Sequence, residues 1–399
     1  MSQLYNLTLP TTIETADGFQ QQTNAVFILN PVGQQIRAKS IRLNGILQIQ
    51  NNTAGAGLVP RALTAADKVS LSNAGAHGFI RQINTKLNGS IVETFVDYGK
   101  FKSLRNEATN YQIDQATTTT HMLSLVSYSN DANKTGDDVK NLQSLGSKFN
   151  PIQSDGAWTQ LPFSIVLDIC LNNSNYPLPS SKTGEIEINV FFQDVFKCGI
   201  VSENVGQNFN YRIKNLEMRY LTDPEVPNPA TITMEVKSQA HIGTLVNQTS
   251  NIEFNLSAPA DSIIAGFLKS GQDSTTNNFQ YNYCGSTSIS DGEKLNYLQV
   301  KVNGVDDILQ FILQQQQVEI QYNYLLAHHP LIFGMESMNV SRNGMSYTKL
   351  GQNDQGYGVG TQFIGGLASG TRVSFLMQLA SVPAVSYRTY FFTIGKLFL

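Results

Sequence analysis

Apolar and polar residues alternate along many short runs of this chain. From Ile36 to Gln50 the order is I-R-A-K-S-I-R-L-N-G-I-L-Q-I-Q, with alternation on both sides of Asn44-Gly45. Alternation sends successive side chains to opposite faces of a strand. Asn-Gly between two such runs signals a tight hairpin, because both turn positions take positive φ. The same reading predicts hairpins at Ile83–Val92, turning at Asn88-Gly89, and at Leu298–Val305, turning at Asn303-Gly304. Further strands are predicted at Phe163–Leu171, Glu185–Phe192, Tyr211–Leu221, Thr231–Val236, Asn251–Leu256, Val318–Tyr324, Arg372–Leu379 and Tyr387–Ile394. Glu185–Phe192 alternates most cleanly, as a strand with one wet face does. Many short strands between Gly- and Pro-containing turns predict an all-β sandwich or jelly roll.

Helical spacing is rare. Phe95, Tyr98, Phe101 and Leu104 recur every three residues and predict a helix within 92–107, with its stripe packed on the sheet. Asp306–Gln317 opens on two acidic residues, suited to a helix N-terminus, and carries an apolar cluster. Each helix follows an Asn-Gly strand: Lys86-Leu87-Asn88-Gly89 precedes the first, Lys301-Val302-Asn303-Gly304 the second. The two motifs lie a little over half a chain apart, as a tandem duplication leaves them.

A boundary fits between the halves. The stretch from Thr222 to Pro229 ends with Pro224, Pro227 and Pro229, which suit a stiff connection and not a central strand. The expected organisation is a polar N-terminal arm over 1–24, a first β domain over 25–222, a linker over 223–229 and a second β domain over 230–399. Large loops are expected at 127–160, 268–292 and 351–371, the last rich in glycine.

Composition supports this picture and narrows the function. With 399 residues there is chain enough for two domains. Apolar residues make up 41%, enough for a substantial core, while charged residues make up only 14%, against roughly 25% in an average soluble protein. Amides and hydroxyls take the place of charges and suit broad neutral contacts between subunits. A net charge of −3 argues against a broad nucleic-acid-binding face. No apolar run approaches the ~20 residues that span a bilayer, and the N-terminal residues do not read as a secretory signal. Cys170, Cys198 and Cys284 are odd in number and lack C-x-x-C spacing, so reduced thiols are expected, with Cys170 buried in its apolar run.

Catalytic constellations are missing. His77, His121, His241, His328 and His329 form no H-E-x-x-H or other metal spacing, and the neighbours His328 and His329 would point to opposite faces of a strand. Asp137-Asp138, Asp306-Asp307 and Glu185 with Glu187 are acidic pairs without any sign of a cleft. The glycines of 351–370 match neither the dinucleotide nor the P-loop pattern, and no G-x-S-x-G elbow occurs. Arg37, Lys39 and Arg42 read as a solvated face or a subunit contact. The sequence therefore offers no catalytic, cofactor-binding or metal-binding residue, and the expectation is a protein that is not an enzyme.

The order of these elements resembles a known family. The Ile36–Gln50 run, then Gly78-Phe79-Ile80-Arg81-Gln82-Ile83 leading to Leu87-Asn88-Gly89, then Val96-Asp97-Tyr98-Gly99-Lys100-Phe101, is similar to the first barrel of double jelly-roll major capsid proteins of membrane-containing icosahedral viruses, the tectivirus-like lineage. Phe163–Phe192 resembles the later strands of that barrel, and Tyr387–Leu399 a closing strand of the second. The resemblance implies two tandem eight-stranded jelly rolls with short helices and long loops. It implies trimers forming pseudo-hexagonal capsomers that tile an icosahedral shell, located in the virion and assembled in the host cytoplasm. The implied partners are the chain itself, penton and minor capsid proteins, and an internal viral membrane met through residues 1–24, with no specific nucleic acid and no cofactor.

Two other readings compete. A tandem jelly-roll spike or carbohydrate-binding receptor-recognition protein would need exposed aromatic residues, and the single Trp158 weakens it. A β-sandwich glycosidase would rest on Glu185 and Glu187.

Overall fold

The computed structural model describes residues 4–21, 23–52, 59–64, 67, 69–71, 74–102, 154–195, 198–202, 208–226, 231–269, 295–306, 358–379, 382–383 and 386–399. Sixteen strands carry the architecture. The first eight are β1 (Leu4–Thr8), β2 (Asn24–Leu29), β3 (Arg42–Asn51), β4 (Ile80–Leu87), β5 (Ser90–Val96), β6 (Trp158–Val166), β7 (Ile186–Phe192) and β8 (Phe209–Pro224). The second eight are β9 (Thr233–Leu245), β10 (Thr249–Asn255), β11 (Ala260–Lys269), β12 (Leu295–Val302), β13 (Val305–Asp306), β14 (Gly358–Leu367), β15 (Arg372–Leu379) and β16 (Tyr387–Phe398).

The two sets pair in the same order. In the first, one sheet runs β1-β8-β3-β6 and the other β2-β7-β4-β5. In the second, the sheets run β9-β16-β11-β14 and β10-β15-β12-β13. Each strand thus has its counterpart eight strands later, and all of these pairings are antiparallel. This is the jelly-roll order, in which the first strand pairs with the last and two sheets enclose one core. The fold is all-β, with two tandem eight-stranded jelly rolls. Short strands such as Gln34–Ile36 and Leu178–Pro179 extend the first roll's larger sheet.

The short connections of each roll gather at one end. In the second roll, Leu256 donates to the carbonyl of Thr371, Gly370 to that of Leu256, and Asn303 to that of Arg372. In the first, Asn88 donates to the carbonyl of Glu185, and Gly33 to the Ser180 hydroxyl.

Two of the three Asn-Gly hairpins form. Asn88 and Gly89 have φ of 48° and 76°, and Asn303 and Gly304 have 51° and 79°, the signature of a tight turn. They join β4 to β5 and β12 to β13, the same place in each roll, so the repeated four-residue motif marks a true structural repeat. Asn44-Gly45 forms no hairpin and lies inside the continuous strand β3. Its glycine serves packing: a Cβ there would sit 3.0 Å from Leu216 and 3.1 Å from Phe163. Gly45→Val is therefore expected to destabilise the first roll by about 1–3 kcal/mol through overpacking. Thermal denaturation of the variant measures it.

Other expectations need correction. The arm expected over 1–24 is no free arm: β1 pairs with β8 from Leu4↔Thr222 to Thr8↔Met218, and it is the first strand of the roll. The helix expected in 92–107 starts later: its first residues continue β5, helical backbone begins at Tyr98 after Asp97, whose φ is +53°, and 103–107 lie outside the described residues. Asp306 belongs to β13, and 307–317 lie outside the described residues, as does Val318–Tyr324. The glycine-rich loop expected over 351–371 contains β14, whose Gly358–Gly360 pair with β11. The first two residues of the expected linker, Asp223 and Pro224, are the end of β8 at the sheet margin, where Pro224 lies opposite Gln34. The strand expected at Phe163–Leu171 begins at Trp158 and ends at Val166.

The core of the first roll does not stop at its own strands. Ile232, Met234, Ile264, Tyr390, Phe392 and Ile394 of the second roll are buried in it. A second, separate core fills the second roll around Phe254, Phe375 and Phe391.

A buried polar junction between the rolls

Strand β5 alternates, and Phe95 points inward. Glu93, two residues earlier, must point the same way. It is 2% exposed, and its carboxylate lies where β5, the 167–175 segment and β9 meet. One oxygen accepts the backbone N–H of Cys170 at 2.9 Å, in the first roll. The other accepts the backbone N–H of Lys237 at 3.0 Å, in the second. One side chain therefore ties two rolls.

Further charges surround it. The Lys237 ammonium, fully buried, lies 3.0 Å from Asp168 Oδ1 and 2.6 Å from Glu235 Oε1. Asp168 also meets Lys102 at 3.3 Å and accepts from Asn173 at 2.9 Å. Beside them, Asp97 accepts from Gln239 and lies 3.5 Å from Lys100. Lys100 donates to the Tyr390 hydroxyl at 2.8 Å and sits over the Tyr390 ring. The cluster thus sets four carboxylates (Glu93, Asp97, Asp168, Glu235) against three ammonium groups (Lys100, Lys102, Lys237). The surplus proton affinity falls on Glu93: burial pushes its pKa up to about 7, against the pull of Lys237 and the two backbone donors.

His77 completes the junction. Its Nδ1 is 2.8 Å from the Tyr98 hydroxyl, which accepts the Asp168 backbone N–H at 2.9 Å. Burial, helped by Lys102, holds its imidazole well below the ordinary pKa and hence neutral. Around the charges stand aromatic rings from both rolls. Phe101 of the 98–102 turn meets Phe95 at 5.1 Å and Phe392 of β16 at 5.3 Å, both edge-to-face. Backbone bonds close the seam, Asn175 to the Thr233 carbonyl and Glu235 to the Asn173 carbonyl.

The sequence reading placed Phe95, Tyr98, Phe101 and Leu104 on one packed helical stripe; the first three are buried together, Phe95 from β5 rather than from the helix, and Leu104 lies outside the described residues. It missed Glu93, Asp168 and Lys237. A charged residue at an inward position of an alternating strand was the available signal for Glu93. The histidines are not gathered: His77 is in the junction, His241 stacks on Phe254 at 5.1 Å, and His121, His328 and His329 lie outside the described residues. Glu187 pairs with Lys86 at 2.8 Å, while Glu185 precedes β7 on the exposed margin. Asp137-Asp138 also fall outside the described residues. Arg37 is paired with Asp223, and Arg42 with Ser164. Cys170 and Cys198 are buried free thiols; burial raises both, Cys198 to about 12, so neither is a ready thiolate. Cys284 is outside the described residues.

What this arrangement does is mechanical. Paired charges inside a low-dielectric seam tolerate only the alignment that satisfies them, so the rolls are fixed against sliding.

Known structures share the fold over the full chain. The Faustovirus major capsid protein aligns with a TM-score of 0.62 at 10% identity, over 100% of this chain and 90% of that one. A chain of the Sputnik virophage, solved by cryo-EM, gives 0.63 at 11% identity, over 100% and 86%. The mavirus major capsid protein gives 0.56 at 12% identity, over 99% and 88%. No family model and no curated protein sequence matches the chain. The likeness is one of fold: the double jelly roll of viral major capsid proteins.

Proposed function

We propose that this chain, with the double jelly-roll fold as premise, is the major capsid protein of an icosahedral virus, acting in assembly and not in catalysis. The observation that carries the reading is the repetition of one eight-strand order in a single chain, locked by the buried junction. Two like rolls held at a fixed angle make a trimer present six similar units, so a pseudo-hexagonal capsomer follows from three identical chains. A composition low in charge and rich in amides suits wide, wet contacts between such capsomers. The Faustovirus and mavirus proteins of the same fold are, by name, major capsid proteins.

On this reading the protein resides in the virion shell after folding in the host cytoplasm. Its partners are its own copies, penton and minor capsid proteins, and an internal membrane. In the N-terminal segment, Leu9 and Ile13 are exposed apolar side chains available for that last contact. The rolls would span 4–224 and 233–398, with the linker in between.

Light scattering of the purified protein is expected to give three times 43.9 kDa, with no fall on dilution, and electron microscopy to show flat hexagonal particles. A stable monomer or a twofold dimer would sink the capsomer reading.

A further inference from the structure

We infer that the junction becomes covalent: Lys237 Nζ and the Asp168 carboxyl condense to an isopeptide bond between the two rolls, with Glu93 as the proton carrier. The reactants are already in contact. Lys237 Nζ lies 3.0 Å from Asp168 Oδ1, and the carbon to be attacked is one bond beyond that oxygen. Reacting groups held at roughly 3–3.5 Å gain the most from proximity. Burial supplies the reactivity. In water the pair exists as ammonium, which has no free electron pair, and carboxylate, which repels a nucleophile. Here Lys237 is fully buried, and the Asp168 side chain is 4% exposed, between the buried Leu167 and Ile169. A dry setting penalises both charges, brings the neutral amine and the neutral acid within reach, and withholds the bulk water that would reverse the reaction.

The neighbouring groups have the roles this chemistry requires. Asn173 donates its amide N–H to Asp168 Oδ1 at 2.9 Å, which polarises the carbonyl and stabilises negative charge as it forms there. Lys102 Nζ stands 3.3 Å from Oδ2, the oxygen that leaves. The charges of Lys237 and Asp168 both act on Glu93, whose pKa burial pushes up to about 7, so it takes up and returns a proton at neutral pH. The balance closes with no other reactant. The ammonium passes a proton to Glu93, the freed nitrogen pair attacks Cγ, and the bond from Cγ to Oδ2 breaks. Two protons in all pass by way of Glu93 from Nζ to Oδ2, which departs as water. Nothing is oxidised or reduced, and Glu93 ends as it began. One ammonium and one carboxylate disappear together, so the surplus of carboxylates at the junction is unchanged. Glu235 also meets the ammonium, at 2.6 Å, but its side chain is more exposed, 13% against 4%, and it stands two residues away on the same strand, where a link would join β9 only to itself.

Mass spectrometry of the full chain, folded and then denatured, tests this. The parent is expected to be one water lighter than its sequence. Trypsin should fail to cut after Lys237 and should release that residue joined to the peptide that carries Asp168. Lys237→Arg keeps the positive charge but removes the nucleophile, and it should show the full mass with no linked peptide. Glu93→Gln keeps the shape but removes the proton carrier, and it should form the link roughly a hundredfold more slowly. A parent of full mass overturns the proposal. So does a lost water that leaves Lys237 open to trypsin, which marks a succinimide elsewhere, or a peptide that joins Lys237 to Glu235. A Glu93→Gln chain that links as fast as the parent overturns it too. The parent's mass and peptide map need no variant to fold, and neither depends on the oligomeric state, so the capsomer reading stands or falls separately.

Discussion

Glu93→Ala is expected to cost the protein about 3–5 kcal/mol, because it strips two buried backbone donors of their acceptor and leaves Lys237 with less compensation. For a chain of this size that is a fall in melting temperature of about 4–6 °C. Glu93→Gln keeps the shape but sets an amide NH₂ against one of the two N–H donors, so a smaller loss is expected. The two variants also separate in their pH dependence. The folded protein binds the Glu93 proton more tightly than the unfolded chain, where the ordinary value is 4.5 against about 7 here. This group's contribution is therefore fully present below about pH 4.5 and is lost as pH rises through about 7. His77 acts in the opposite direction. Held neutral by burial, it contributes stability above its ordinary value of 6.5 and loses it as pH falls below. From pH 6 to 8 the parent loses the Glu93 contribution while gaining part of the His77 one, so its net decline should be small, and Glu93→Gln, which keeps only His77, should lose that decline. Denaturant melts at pH 6, 7 and 8 measure it; an equal decline in parent and Glu93→Gln would show that Glu93 does not titrate in this window.

The second large effect is expected at Phe392. Its ring comes from the second roll and is buried in the first roll's core, against Phe101 at 5.3 Å and Phe95 at 6.5 Å. Phe392→Ala removes this shared ring and should cost about 3–5 kcal/mol, with Phe392→Leu costing less. The form of unfolding matters as much as the magnitude. With a core common to both rolls, the parent should melt in one calorimetric transition; Phe392→Ala should separate it into two, because each roll then unfolds with less dependence on the other. Two transitions in the parent would show the junction to be weak.

Much of the fold was legible because strand alternation is a local property. Glu185–Phe192 and Arg372–Leu379 need only their own residues to reveal a strand, and both form with at most one residue's change. Asn88-Gly89 and Asn303-Gly304 were legible for the same reason. Asn44-Gly45 was not. There the glycine answers to Phe163 and Leu216, far away in sequence, and no local rule contains them. The first strand was hidden likewise. Leu4–Thr8 is short and belongs to the sheet only through β8, some two hundred residues later. The junction was the least visible part, since Glu93, Asp168 and Lys237 acquire meaning only when three separate segments converge. The bulge at Asn215 and Leu216 was hidden as well, because a bulge leaves no periodic trace in one strand.

The shared core has a consequence for synthesis. A domain that buries only its own residues can fold as soon as it clears the ribosome. The first roll cannot finish in that way. Its last strand ends at Pro224, yet the N–H that Glu93 awaits belongs to Lys237, and the rings that close its core, Tyr390 and Phe392, lie in β16. Until those strands are made, a nascent first roll leaves one oxygen of Glu93 without its donor and its aromatic surface open. A chain stopped after the linker should be held as a sticky, incomplete intermediate until β16 is made.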